Sequence, residues 1–164
     1  MIDVQVGDIT TLSVDIIVNA ANSALVGGGG VDGAIHRAAG PRLMRACRAI
    51  GSCPTGEARI TPAFELPATW VVHAVGPIWT GGAQGEAELL RTCYAQAFEL
   101  ALQKQARSIA FAAISTGVYG FPKQPAAQIA VQVMREFTHE FERIVACCFS
   151  GADADLYRRT LEAL

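Results

Sequence analysis

An α/β layered domain is the fold class this chain predicts, on three observations. Short runs rich in Val, Ile, Ala and Phe alternate with longer segments of helical periodicity. Several of the short runs are almost continuously apolar, as strands covered on both faces require. Hydrophobic residues make up 51% of the 164, enough to build a substantial core at this length, which excludes a disordered or fibrous chain.

Taken in order, the first strand is expected at Ile2–Val6 and the second at Asp15–Asn19. A turn-rich stretch and a run of four glycines, Gly27–Gly30, then lead to a helix expected from Gly33 to Ile50. Strands are expected at Ala58–Pro62 and Trp70–Val75, followed by the largest loop, Gly76–Gly85. A helix over Gly85–Gln105 places Leu90, Cys93, Ala97 and Leu100 on one face. After a strand at Ser108–Ile114, Pro122 suits the first turn of a helix running to Glu140, in which Ala126, Ile129, Ala130, Val133 and Phe137 form one apolar stripe. A strand at Arg143–Phe149 and a helix at Ala154–Leu164 complete the pattern. With no internal repeat, low-complexity tract or long linker, residues 1–164 read as a single domain.

The charge balance limits the partners. A net charge of −2 leaves no broad basic surface to hold a nucleic-acid backbone, so nucleic acid is an unlikely partner. The five cysteines, Cys47, Cys53, Cys93, Cys147 and Cys148, show no Cys-x-x-Cys spacing and read as reduced cysteines of a cytosolic protein, without a metal site. Neither a secretory leader nor a membrane-length apolar span is present, so a cytoplasmic location away from membranes is expected.

Two glycine-rich loops, each after a strand-like run and each leading into a helix, are the main functional signal. The first is Gly27–Gly30 with Val31-Asp32-Gly33; the second is Ser115-Thr116-Gly117-Val118-Tyr119-Gly120-Phe121. Backbone N–H groups in such loops, backed by a helix N-terminus, bind anions without side-chain cations. Two of them suit a diphosphate. The Lys-Ser/Thr ending of a nucleoside-triphosphatase loop is absent and the spacing is not that of a dinucleotide fingerprint, so phosphoryl transfer is disfavoured.

Single residues leave alternatives open. Asp8 suits an Asx turn or helix cap as well as a ligand contact, and Asp32 suits the N-cap of a helix starting near Gly33. Asn22 reads as a turn residue. Phe149 either closes the core or offers its face to a base, and Tyr119 and Phe121 either cover the sheet edge or face a ligand. Ser115 lies in no Gly-x-Ser-x-Gly elbow and reads as a hydroxyl or backbone donor to phosphate. His36, one turn after Asp32, is a supporting, packing or surface group; His73 lies in a buried-looking strand and His139 near a polar helix end, neither with metal-ligand company.

Gly7-Asp8-Ile9-Thr10, Asn19-Ala-Ala-Asn22, the glycine run continuing as Val31-Asp32-Gly33-Ala34-Ile35-His36, and Ser115 to Pro122 stand together in one order and spacing. In this combination the chain resembles the macrodomain family, in particular hydrolytic macrodomains of the MacroD type, from Gly7 almost to the C-terminus. The resemblance implies a three-layer α/β/α fold with a six-stranded mixed sheet and a cleft between the two loops. It implies binding of ADP-ribose and O-acetyl-ADP-ribose, deacetylation of the latter, and removal of mono-ADP-ribose from acidic side chains of modified proteins, with no cofactor. Asp8 and Phe149 would take the adenosine end, Ile9 would belong to the substrate-binding set beside them, and Gly28, Gly29, Gly30, Val31, Ser115, Thr116, Gly117 and Val118 would take the diphosphate. Tyr119 would lie over the distal ribose, where Asn22 and Asp32, ten positions apart, would be catalytic. A carboxylate at a helix N-terminus is held as the anion, so Asp32 is expected to orient water while a ligand phosphate oxygen shares the role of base. Ester linkages fit best, because a carboxylate leaves with little acid assistance. A reader that binds ADP-ribose without cleaving it, and an RNA-interacting regulator using the same cleft, are the alternatives.

Overall fold

The computed structural model describes residues 1–164. Strands β1 (Ile2–Val6), β2 (Ile16–Ala20), β3 (Ala58–Pro62), β4 (Trp70–Ala74), β5 (Ser108–Phe111) and β6 (Arg143–Cys148) form one sheet in the order β1-β6-β5-β2-β4-β3. Every neighbouring pair is parallel except β3 and β4, so the sheet is mixed, with its antiparallel strand at one edge. Helices α1 (Gly30–Ala39) and α2 (Pro41–Ile50) cover one face; α3 (Glu86–Gln103), α4 (Lys123–Phe137) and α5 (Gly151–Ala163) cover the other.

The alternation of side chains along each strand produces these layers. Ile16, Val18, Ile109, Phe111 and Ile144 point toward α3 and α4, where Leu90, Phe98 and Met134 meet them; Ile17, Ala110 and Val145 point to the opposite face, against Ile35 and Leu43. Both faces of β2 and β5 are therefore buried, which is why these strands read as continuous apolar runs. The three-layer fold and mixed sheet expected from the sequence are present. No helix is long and apolar enough to cross a membrane.

Several boundaries differ from the sequence expectation. The helix expected over Gly33–Ile50 is two helices, and the first begins earlier, at Gly30. Gly40, at φ +87°, ends α1 with its N–H donating to the His36 carbonyl at 3.1 Å, and Pro41 opens α2. Strand β5 stops at Phe111, three residues before Ile114, whose N–H instead donates to the Tyr94 hydroxyl at 3.3 Å. Strand β6 stops at Cys148, so Phe149 lies outside the sheet. Helix α5 starts at Gly151 rather than Ala154, because Ser150 caps it by accepting from the Asp153 N–H at 3.2 Å.

The break at Gly40 has a steric cause that can be tested. Its left-handed backbone disfavours any side chain, and a Cβ there would run into the Glu65 carboxylate. Gly40→Ala is expected to destabilise the fold by about 1–3 kcal/mol in urea denaturation; an unchanged unfolding midpoint would contradict that origin for the α1–α2 break.

Candidate functional site

The parallel strands direct the loops after β1, β2, β5 and β6 to one edge of the sheet, the usual place for a ligand in open α/β sheets. A cleft of about 760 Å³ opens there. Of the residues expected from the sequence, Asp8, Ile9, Gly30, Val31, Thr116, Gly117 and Phe149 line it. Asn22, Gly28, Gly29, Asp32, Ser115, Val118 and Tyr119 lie in the same loops without lining this cavity. Arg37, Lys123 and Asp153 also line it and were not anticipated. Arg37 shares a face of α1 with Gly30, Val31 and Ala34 at helical spacing, a signal the sequence carried; the Lys123–Asp153 ion pair, 2.9 Å long, joins two helix starts that only the fold brings together.

The first glycine loop ends as the first turn of α1. Gly29 is the N-cap, and Asp32, expected to cap a later helix start, instead lies inside that first turn, 6% exposed. The Gly28 N–H donates to Asp32 Oδ2 at 3.0 Å, bending the loop onto the helix. The N–H groups of Gly29, Gly30, Val31 and Asp32 meet no protein acceptor, as expected at a helix start. They form the electropositive end of α1.

The second loop is a tight turn closed by Phe121 N–H donating to the Ser115 carbonyl at 2.9 Å and Gly120 N–H donating to the Gly117 carbonyl at 3.0 Å. The N–H groups of Ser115 through Tyr119 have no protein partner. Ser115 has φ +68°, uncommon for a side-chain-bearing residue, and its hydroxyl donates to the Pro77 carbonyl at 2.7 Å. That bond engages the hydroxyl, so of the two donors expected of Ser115 the backbone N–H is the one left free. Val118 is fully exposed at the turn, Tyr119 is half-buried, and Phe121 is buried with its ring 4.7 Å from that of Trp79, so Phe121 belongs to the core.

At the other end, Asp8 combines two of its candidate roles. Its Oδ1 accepts from the Thr10 N–H at 3.0 Å and the Thr10 hydroxyl at 2.6 Å, capping a short 3-10 turn, while Oδ2 has no protein partner. The two Thr10 bonds hold the carboxyl below its ordinary range. The Phe149 ring, 96% exposed, stands at the cleft beyond the end of β6 and does not close the core.

Behind the first loop lies a buried polar chain. Asn19 Nδ2 donates to Asp32 Oδ1 at 2.7 Å, and His36 Nε2 is 3.4 Å from the same oxygen. Asn19 Nδ2 also points at His73 Nδ1, 3.4 Å away, which makes Nδ1 the acceptor and leaves the Nε2–H to donate to the Thr61 hydroxyl at 3.0 Å. Asn22 ties its own turn together, accepting from the Val26 N–H at 3.1 Å and donating to the Val26 carbonyl at 2.7 Å. Asn22 Nδ2 and Asp32 Oδ2 converge on Gly28: a Cβ there would stand 3.7 and 3.5 Å from them. Burial pushes the Cys148 thiol, at the cleft floor, up to about 11 and raises that of Cys147, so neither supplies a thiolate nucleophile near neutral pH.

One sheet covered by helices on both faces, with a cleft between two loops of unpaired peptide N–H groups, is an arrangement that can take an anion. The Macro domain family matches residues 18–130, and this chain belongs to the macrodomain family. A macro domain-containing protein of Ralstonia nicotianae is 62% identical over 94% of this chain and 90% of its own length. The O-acetyl-ADP-ribose deacetylase of Klebsiella pneumoniae is 54% identical over 97% of this chain and 95% of its own. Among solved structures, the Oceanobacillus iheyensis macrodomain with ADP superposes with a TM-score of 0.93 at 45% identity, covering 98% of this chain and 89% of that one. The Trypanosoma brucei macrodomain in complex with ADP-ribose gives 0.89 at 42% identity, covering 96% and 68%.

The buried chain behind Asp32 predicts a titration. Burial, with His36 nearby, lowers the His73 pKa from 6.5 to about 3. The unfolded chain therefore gains this proton first, and the contribution of His73 lowers folding stability progressively as pH falls from 6.5 toward 3. In NMR titration the His73 ring signals are expected to stay those of the neutral imidazole from pH 8 to about 5. A midpoint near 6.5 would show that the ring is not held in this dry network.

Proposed function

We propose that this macrodomain binds ADP-ribose and hydrolyses its ester derivatives, deacetylating O-acetyl-ADP-ribose and releasing mono-ADP-ribose from acidic side chains of modified proteins. One observation carries the reading: unpaired peptide N–H groups of two loops border a single cleft, and the free oxygen of Asp8 lies at that cleft. The activity for which the Klebsiella relative is named, and the ADP and ADP-ribose in the structures of similar chains, support the same reading.

In this assignment Asp8 Oδ2 accepts from the adenine amino group and Phe149 stacks on the base, a contact worth roughly 1–3 kcal/mol. The amides of Gly29–Val31 and of Ser115–Val118 take the diphosphate, and Gly28, its own N–H held by Asp32, flanks it. The distal ribose then reaches Asn22, Asp32 and Tyr119. Asp32 Oδ2 already accepts from Gly28 and keeps a lone pair, so its proposed role is to orient water while the loop stays closed. Asn22 keeps one N–H beyond its bond to Val26 for the ribose. In release from an acidic side chain, water attacks the ribose carbon, the bond to the carboxylate breaks, and the carboxylate departs needing little protonation while the proton of water passes to a ligand phosphate oxygen; in deacetylation, water adds to the acetyl carbonyl, the bond to the ribose oxygen breaks, and that oxygen leaves as the hydroxyl with the proton the water gave up.

The reader alternative has one observation in its favour, the burial of Asp32 with both oxygens engaged. Turnover by the purified chain separates the two: ADP-ribose binding without release of acetate or of ADP-ribose from an acidic substrate would establish the reader.

Two substitutions divide the labour. Asp32→Ala is expected to lower turnover of O-acetyl-ADP-ribose by a hundredfold or more and, because it also releases the Gly28 amide that shapes the loop, to weaken ADP-ribose binding by about tenfold, roughly 1.4 kcal/mol. Undiminished turnover would remove Asp32 from the reaction. Asp8→Ala is expected to weaken ADP-ribose binding by about 1–3 kcal/mol in calorimetry. Because Thr10 lowers the Asp8 pKa, the carboxylate persists as pH falls from 7 to 5, and its contribution is lost only below its ordinary range of about 3.8. A loss of Asp8-dependent affinity already at pH 5 would contradict the assignment.

A further inference from the structure

Beside the cleft, the loop Gly76–Gly85 folds around one carboxylate. Glu86, in the first turn of α3, is 2% exposed. Its Oε2 accepts from the Thr80 N–H at 2.9 Å, the Thr80 hydroxyl at 3.1 Å and the Gly82 N–H at 2.9 Å, and its Oε1 accepts from the Gln84 N–H at 2.7 Å. These backbone donors, that of Thr80 foremost, hold the carboxyl at about 2. The anion thus organises five residues that have no regular secondary structure of their own.

The gathered loop bears on the second glycine loop. Gly82 has φ +91°, and a Cβ there would stand 2.7 Å from the Trp79 ring, so the indole lies directly on the loop backbone. Trp79 in turn donates its backbone N–H to the Tyr119 carbonyl at 2.8 Å and packs its ring 4.7 Å from that of Phe121. Pro77, at the start of the same loop, accepts the Ser115 hydroxyl at 2.7 Å, and Ser115 holds its left-handed backbone there. Glu86, Gly82, Trp79 and the Ser115–Phe121 turn form one contiguous chain of contacts. Its end is the row of amides assigned to the diphosphate.

We propose that Glu86 is a positioning residue that fixes the second glycine loop through Trp79, and so sets affinity for the diphosphate and distal ribose without touching the ligand. The ligand half of this inference rests on the proposed function; the mechanical half does not. Glu86→Gln keeps the volume but turns an amide NH₂ toward at least one of the donors gathered by the carboxylate, leaving it unpaired.

Amide exchange in the ligand-free protein tests the mechanical half. In Glu86→Gln the Trp79, Gly120 and Phe121 N–H groups are expected to exchange at least tenfold faster, while sheet amides such as that of Val18 are unchanged. In Trp79→Ala, which removes the ring contacts to Gly82 and Phe121 and keeps the backbone bond to Tyr119, Gly120 and Phe121 are expected to lose protection while Gly82 and Gln84 keep theirs. Calorimetry tests the other half: Glu86→Gln is expected to bind ADP-ribose at least tenfold more weakly and adenosine within twofold of the parent. Unchanged exchange in the Ser115–Phe121 turn, or equal loss for ADP-ribose and adenosine, would overturn the proposal. A parent protein that binds no ADP-ribose would overturn the functional reading and leave the exchange result to decide the mechanical one.

Discussion

The hydrogen bond from the Gly28 amide to the Asp32 carboxylate is the constraint on which the site depends. It joins a flexible run of glycines to the first turn of α1, and the following amides then have no carbonyl behind them to accept. Asn19, on the central strand β2, holds the other oxygen of Asp32, so the loop is tied to the most deeply buried part of the sheet. The two loops are anchored in different ways. The first is held from below by a buried polar chain through Asn19, His36 and His73; the second is held from the side by Pro77, Trp79 and the loop around Glu86.

Peptide N–H groups give a chain of net charge −2 a means of holding the proposed anionic ligand. Their partial charges are fixed by backbone geometry, and rigid loops need not be ordered again when a ligand arrives. Arg37 and Lys123 line the cleft as well, but the ammonium group of Lys123 is already paired with Asp153. At the other end, one oxygen of Asp8 caps a turn and the other remains open at the cleft, free for the recognition proposed for it.

The strands were legible because burial on both faces leaves continuous apolar runs, the first glycine loop because four adjacent glycines demand a conformational reason, and the second because Gly117 and Gly120 stand between a strand-like run and a helix. The break between α1 and α2 was also written in Gly40-Pro41, yet the expected helix ran through it because the surrounding sequence is helix-compatible. The placement of Asp32 was missed because the helix begins within the glycine run itself, three residues before the expected start. Contacts between distant segments left no local trace. The Ser115 hydroxyl reaches Pro77 across 38 residues, and Asn19 reaches His73 across 54; neither pairing follows from spacing. The Glu86 anchor was hidden for a related reason, since a glutamate in a first helical turn ordinarily faces solvent.

If backbone amides of the two loops, rather than side-chain cations, hold the diphosphate, an amide-resolved NMR titration with ADP-ribose reads it directly. Signals of Gly29–Asp32 and of Ser115–Tyr119 are expected to shift together along one binding curve, and the curve to survive neutralisation of Arg37 and Lys123 by substitution. Shifts confined to one loop, or binding abolished by removing those two cations, would contradict it.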